Sequence, residues 1–189
     1  MNLRSEKGRD FLRVLGASVC FGAAGGIFQS TINNYLSEIH LMDAEGRGWL
    51  EFPRELPGFL LIFIAGFLLI KLRESQIAAT AMVLSALGAL GLGYLAPGTA
   101  TLVLWIVVWS LGDHIMFAVQ GPIGLKLARD GGEGRRLGQL GGAGNLGTII
   151  GVGLIYLLAK SLGNRYDLFY MIAAAFALGQ LGERRAADA

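Results

Sequence analysis

The chain has 189 residues, enough for one ordinary domain, but 53% of them are hydrophobic and only 16% are charged, with a mean hydropathy of +0.54. A soluble domain carries about 25% charged residues, so the excess apolar surface excludes a water-facing globule and asks for a bilayer as solvent. A net charge of +2, one cysteine (Cys20) and two distant histidines (His40, His114) exclude a nucleic-acid surface, a disulfide framework and a zinc-ligand spacing.

Charge-free runs define the elements, because about 20 apolar residues cross a bilayer as a helix. Val14 to Ser37 carries no charge and predicts a first span at 12–35, read as an uncleaved helix rather than a signal peptide. On it Ser18, Gly22, Gly25 or Gly26, Gln29 and Asn33 recur at intervals of three and four, which puts small residues and then amides on one side. Lipid rejects those amides, so Gln29 and Asn33 are expected either to bond to neighbouring helices or to line a solute cavity.

The uncharged run from Leu56 to Ile70 is too short for a full span by itself. Extension back to Trp49 gives a second span, 49–71, with Glu51, Arg54 and Glu55 at its outer end, spaced for an arginine paired to one or both acids as a gate or structural ion pair. Pro53 and Pro57 bracket that cluster.

Ser75 to Gly112 is uncharged throughout, too long for one span, and broken at Pro97-Gly98. It predicts a third span at 76–95 and a fourth at 99–125. Between Ser75 and Leu125 the only charged residue is Asp113, and ionisable groups inside a span usually face a polar interior and mark solute or ion paths. Asp113 shares a helix face with Trp109 and Gln120 and is expected in a cavity, with His114, about 100° round the helix, on an interhelical flank. Asp113, His114, Gln120, Gln29 and Asn33 form the expected set for substrate binding or coupling.

Leu137 to Ala159 is again free of charge and predicts a fifth span at 137–159. Gly142-Ala-Gly144-Asn-Leu-Gly147 matches a dinucleotide fingerprint, but no strand precedes it and a membrane-length helix follows. Gly144, Gly147 and Gly151 instead line one helix face and admit a neighbouring backbone. A short sixth span is expected at 167–182. Ser110 near His114 lacks the surroundings of a nucleophile, and there is no P-loop. The expected protein is therefore not an enzyme and needs no cofactor and no metal.

The predicted organisation is thus all-α, a single bundle of six transmembrane helices. Basic residues stay on the cytoplasmic side of short loops. With six spans and an inner N-terminus, Arg4, Lys7, Arg9, Arg13, Lys71, Arg73, Lys126, Arg129, Arg135, Arg136, Arg184 and Arg185 lie inside, whereas Arg47, Arg54, Lys160 and Arg165 lie outside. Both termini are expected in the cytoplasm, in a plasma membrane of the bacterial inner type.

This layout resembles the N-terminal half of a major facilitator superfamily transporter. The stretches from Asn34 to Leu41 and from Leu50 to Leu60, continuing to Gly66, are similar to the family's first outer loop and second helix. In the loop that follows, Gly66 and Lys71 match the family pattern, while Ile70 stands in place of its acid and Arg73 in place of its second glycine. Phe117 occupies the place of an arginine often found three residues before Gln120-Gly121. The resemblance implies half of a twelve-helix secondary transporter that moves a small solute, is powered by an ion gradient and holds substrate against a second half. The chain is then either a shortened product or a half that pairs with another six-helix half or with its own copy. The rival reading is a membrane structural or interaction protein that oligomerises through glycine-rich helix faces. Its partners would be the lipid bilayer and other helices, with no nucleic acid in either case.

The topology is tested by reporter fusions at Asp43 and Glu133. The first should report an external and the second a cytoplasmic position, and the same compartment for both would overturn the span assignment.

Overall fold

The computed structural model describes residues 6–71, 73–128 and 131–179, with the side chains of all of these except residues 6, 7, 62 and 64–71. Among them are six helices and no strand: α1 (Glu6–Glu38), α2 (Ala44–Lys71), α3 (Glu74–Tyr94), α4 (Thr99–Lys126), α5 (Glu133–Leu162) and α6 (Tyr166–Leu178). Four of them, α1, α3, α4 and α5, are long and apolar enough to cross a membrane. Helix α6 has 13 residues, about 20 Å at 1.5 Å per residue. The last residues expected in its span, 180–182, lie outside the described residues, as do Arg4, Arg129, Arg184 and Arg185 of the charge argument.

Helix ends follow local chemistry. Asp43 Oδ1 accepts the Gly46 amide at 2.8 Å and caps α2. Gly163, at φ 72° and ψ −173°, takes an extended positive-φ conformation open to glycine, and α5 ends there. Between α3 and α4, the Trp105 indole donates to the Leu95 carbonyl at 3.0 Å and ties the Pro97-Gly98 turn to the helix that follows it.

Several, though not all, of the helix contacts are related by exchanging α1, α2 and α3 with α4, α5 and α6; α4 on α5 has no equal counterpart in α1 on α2. Helix α1 packs on α5 as α4 packs on α2, α3 packs on α4 as α6 packs on α1, and α3 packs on α6. Contacts also set the helix directions. Gly22 abuts Gly144 and Gly26 abuts Thr148, so α1 and α5 run parallel. The pairs Phe28 with Trp109 and Phe21 with Phe117 make α1 and α4 antiparallel. Arg54 with Ser110 and Gly58 with His114 make α2 and α4 parallel, and Gly88 and Gly91 against Trp109 and Trp105 set α3 antiparallel to α4. Tyr166 against Tyr35 and Tyr170 against Phe28 set α6 antiparallel to α1. Every helix therefore opposes its neighbours in sequence.

The tightest approach is α1 on α5. A Cβ at Gly147 would meet the Val19 carbonyl and one at Gly151 the Ala23 carbonyl, while Gly22 and Gly26 of α1 are equally closed by the Gly144 and Thr148 backbones. Glycines on both helices remove the side chains that would hold the backbones apart. Thr148 Oγ1 crosses the seam to the Gly22 carbonyl at 3.2 Å. On the other side of α1 an aromatic core forms, in which Phe28 stacks on Trp109 with centroids 4.5 Å apart and meets Tyr170, while the Tyr35 hydroxyl donates to the Leu92 carbonyl at 2.7 Å.

The two helix ends are tied by polar groups. At one end Asn164 Nδ2 and the Tyr166 hydroxyl both donate to Glu38, at 2.9 Å to Oε2, and join α6 to α1. At the other, Lys126 Nζ meets Glu74 Oε1 at 2.5 Å and closes the α3–α4 hairpin. That contact holds the Glu74 carboxyl below its ordinary pKa.

A Gly147→Leu substitution should separate α1 from α5 and cost about 1–3 kcal/mol or more, seen as a lower melting temperature in detergent. Gly153→Leu, where nothing stands within 4 Å of the new Cβ, should change it little. Equal effects of the two would remove the backbone seam as a stabilising contact.

Candidate functional site

Polar side chains gather where α2 meets α4. Pro57 lacks an amide proton, so the Pro53 carbonyl one turn earlier loses its helical donor, and the helix is loosened over that turn. At the same place the Ser110 hydroxyl of α4 donates to the Arg54 carbonyl. The His114 ring stands one turn below, seated against Gly58, where a Cβ would strike its Cδ2 and Nε2. Its Nδ1 donates to the Ser110 carbonyl at 2.9 Å and reaches Ser110 Oγ at 3.0 Å, which orients Nε2 toward Glu55 Oε2 at 3.5 Å. Glu55 Oε1 and Glu51 Oε2 take the Arg54 guanidinium at 3.2 and 2.5 Å. The chain Glu51, Arg54, Glu55, His114, Ser110 is thus continuous.

Two groups that the sequence keeps apart are one cluster. Glu51, Arg54 and Glu55 are expected at the outer end of their span, yet α2 starts at Ala44 and sets Arg54 beside Ser110, close to the middle of α4. His114 does sit on a flank between helices, and the helix it faces is α2.

The register of α1 on α4 gives the level of Asp113. Going back seven residues on α1, from Phe28 to Phe21, advances eight on α4, from Trp109 to Phe117. The same register puts Asp113 opposite Gly25, where nothing lies within 4 Å of a built Cβ. Asp113 makes no hydrogen bond or ion pair among the described residues, is partly buried, and lies within electrostatic range of His114, Glu55 and Arg54. The residues expected to share its cavity face do something else. Trp109 is 2% exposed and stacked on Phe28, so its ring fills the seam. Gln120 Nε2 donates to Ser18 Oγ at 3.1 Å and ties α4 to α1.

The small and amide residues of α1 also fan out. Ser18 turns to α4, Gly22 and Gly26 to α5, and Gln29 and Asn33 stand exposed, with no hydrogen-bond partner among the described residues. Gly144, Gly147 and Gly151 face α1 across the backbone seam. The Gly66 to Lys71 side chains, on which part of the expected resemblance rests, lie outside those described. Among the described residues no group of three or more His, Cys, Asp or Glu side chains is placed to hold a metal ion.

Gly25 enters the sequence reading only as an alternative to Gly26 on the small-residue face of the first span, and Gly58 carries no weight there, although Gly25 is level with Asp113 and Gly58 seats His114. The available signal is the pairing of Ser110 with His114 at i,i+4, which is too common to single out. Compared with known proteins, the chain matches no family model, no curated protein and no solved structure.

Gly58→Ala should lower the melting temperature in detergent because the new methyl meets the imidazole. In a His114→Ala background the same change should be almost silent, a coupling of about 0.5–3 kcal/mol for groups in contact. Additive effects would mean that α2 and α4 do not meet at this pair.

Proposed function

We propose that the chain is a six-span bundle of a secondary transporter of the major facilitator type, carrying a small solute across a plasma membrane of the bacterial inner type, with both termini in the cytoplasm. The observation that supports this most is Asp113. A carboxyl group halfway along an apolar helix, unbonded, beside an open glycine, is retained at a cost that a purely structural helix has no reason to bear. Alternation of helix direction, and the matching of α1 on α5 with α4 on α2 and of α3 on α4 with α6 on α1, are what a chain built from two inverted three-helix repeats would have.

Two carboxylates, Glu51 and Glu55, share the Arg54 guanidinium, and Asp113 lies within electrostatic range of it, so three acids face one permanent cation and the charge balance there favours a second cation. We take that cation to be the coupling ion or a positively charged group of the solute. Gln29 and Asn33 then belong to the wall of the solute path. Because exposed amides are unstable against lipid, that wall is covered in the working assembly by a second six-helix half or by a second copy of the chain.

Asp113→Asn in membrane vesicles that carry the working assembly should abolish solute-driven proton or sodium entry, whereas His114→Gln should reduce it less. In a Cys20→Ser background, Asn33→Cys should react with a water-soluble maleimide more slowly when a transported solute is present. Full cation-coupled uptake by Asp113→Asn would overturn the assignment. Absence of protection with every solute tested would favour the rival reading, a helical scaffold.

A further inference from the structure

At the end of the bundle where α3 begins and α4 finishes, α1 stands away from the α3–α4 hairpin and leaves a cavity of about 430 Å³, within the size range of small-ligand sites. Its walls are apolar. Val14, Ala17 and Phe21 of α1 face Met82 of α3 and Met116 and Ile123 of α4. The lining runs from Asp10 to Phe21 on α1 and from Lys126 back to Met116 on α4, so at 1.5 Å per residue it is a slot about 15 Å deep, parallel to the helices. Phe21, which meets Phe117 edge to face, stands at its inner end. At the mouth, Arg13 is engaged with Asp10 at 3.0 Å and Lys126 with Glu74 at 2.5 Å.

Away from the mouth the polar side chains on the slot are Ser18 and Gln120. Ser18 Oγ donates its one proton to the Val14 carbonyl at 3.0 Å, so toward Gln120 it can only accept. The amide nitrogen of Gln120 is therefore the atom that meets it, at 3.1 Å. This leaves the amide oxygen, Oε1, as an acceptor with no hydrogen-bond partner among the described residues. An acceptor unpaired in apolar surroundings carries a desolvation cost that a donor on a guest would remove.

Gln120 stands about 9 Å in from Lys126 and about 6 Å short of Met116, so the acceptor divides the slot into two apolar lengths. The inner one is bounded by Phe21, Met82 and Met116, and thioethers pack well against aromatic rings. The outer one runs along Val14 and Ile123. A carboxylate or phosphate at this depth would set its charge against an acceptor, and an ammonium would give up its water for a neutral amide alone. A plain hydrocarbon would fill the slot and leave Oε1 unpaired. An uncharged molecule with a hydroxyl between two hydrocarbon parts matches the whole lining.

We propose that this slot binds an uncharged, largely hydrocarbon molecule whose hydroxyl donates to Gln120 Oε1, with a ring at the inner end between Phe21, Met82 and Met116 and a short chain running outward. A phenol with an alkyl chain beside its hydroxyl has this shape. The slot does not include Asp113, and the assignment does not rest on the transport reading.

The test uses the purified full chain in detergent with radiolabelled 2-butylphenol, its saturable binding separated from partition into the micelle by an excess of the unlabelled compound. Saturable binding to the unaltered chain is expected. In competition 2-butylanisole, where a methyl group replaces the donated proton, should be weaker than 2-butylphenol by about three- to tenfold, the worth of one hydrogen bond. The anion 2-butylbenzoate should compete less than either. Gln120→Met, which keeps the length of the side chain and removes its acceptor, should bring phenol and anisole to equal potency. Ala17→Trp, which fills the slot, should abolish saturable binding with helical content unchanged by circular dichroism. Absence of saturable binding to the unaltered chain would overturn the proposal, and so would equal potency of phenol and anisole against it; neither result needs a variant to fold. Stronger competition by the benzoate than by the phenol would overturn it in favour of an anion site, and full binding by a folded Ala17→Trp chain would place the guest elsewhere.

Discussion

The bundle depends on the backbone contact between α1 and α5. Lipid offers no hydrophobic driving force between helices, so association must come from close packing, and the closest packing is reached where neither partner has a side chain. Gly22 and Gly26 of α1 meet the backbones of Gly144 and Thr148, and Gly147 and Gly151 of α5 meet those of Val19 and Ala23, so at each of four levels at least one partner is a glycine. Contact at four levels sets the rotation of α1 about its own axis as well as its distance from α5. Once that rotation is set, Phe21 and Phe28 must face α4, Tyr35 must face α6, and Gln29 and Asn33 are left on the uncovered side.

Contact between α1 and α4 is intermittent for the same reason. Large rings meet at two levels, Phe28 on Trp109 and Phe21 on Phe117, and the helices stay apart between and beyond them. The interval between the rings holds Asp113 and Gly25. The interval beyond the second ring is the slot with the ion-paired mouth. Phe21 lines that slot and meets Phe117, which lies one turn beyond Asp113 on α4, so the same two helices border both spaces at different levels.

Helix α2 reaches the rest of the molecule mainly through α4, and that junction is polar. Two prolines weaken its helix where the arginine lies, and the freed backbone region is met by a serine hydroxyl from the neighbour. Burying polar groups in a nonpolar medium costs several kcal/mol per unsatisfied group, which rewards gathering them at one place where each satisfies another. Glu51, Arg54, Glu55, His114 and Ser110 form such a gathering. It is joined by buried Leu50 and Leu61 and by the His114 ring seated on Gly58, so α2 is held by a polar patch with apolar contacts on either side, compared with the glycine seam that holds α5.

What could be read from the sequence was decided by composition and local spacing. Uncharged runs and the Pro97-Gly98 break located the helices, since a chain in lipid has few ways to satisfy its backbone other than within helices. The spacing of Gly144, Gly147 and Gly151 marked a face for close approach, because helical periodicity is a local property. Asp113 stood out because a lone charge in a long apolar stretch is visible without any structure. Which helix met the glycines, that His114 joins the Glu51–Arg54–Glu55 cluster, that Trp109 and Gln120 leave the face of Asp113 to bind α1, and that a slot opens behind Phe21 were decided only by tertiary structure. Each depends on the rotation and register of two helices far apart in the chain, and those follow from side-chain and backbone contacts that no single segment encodes.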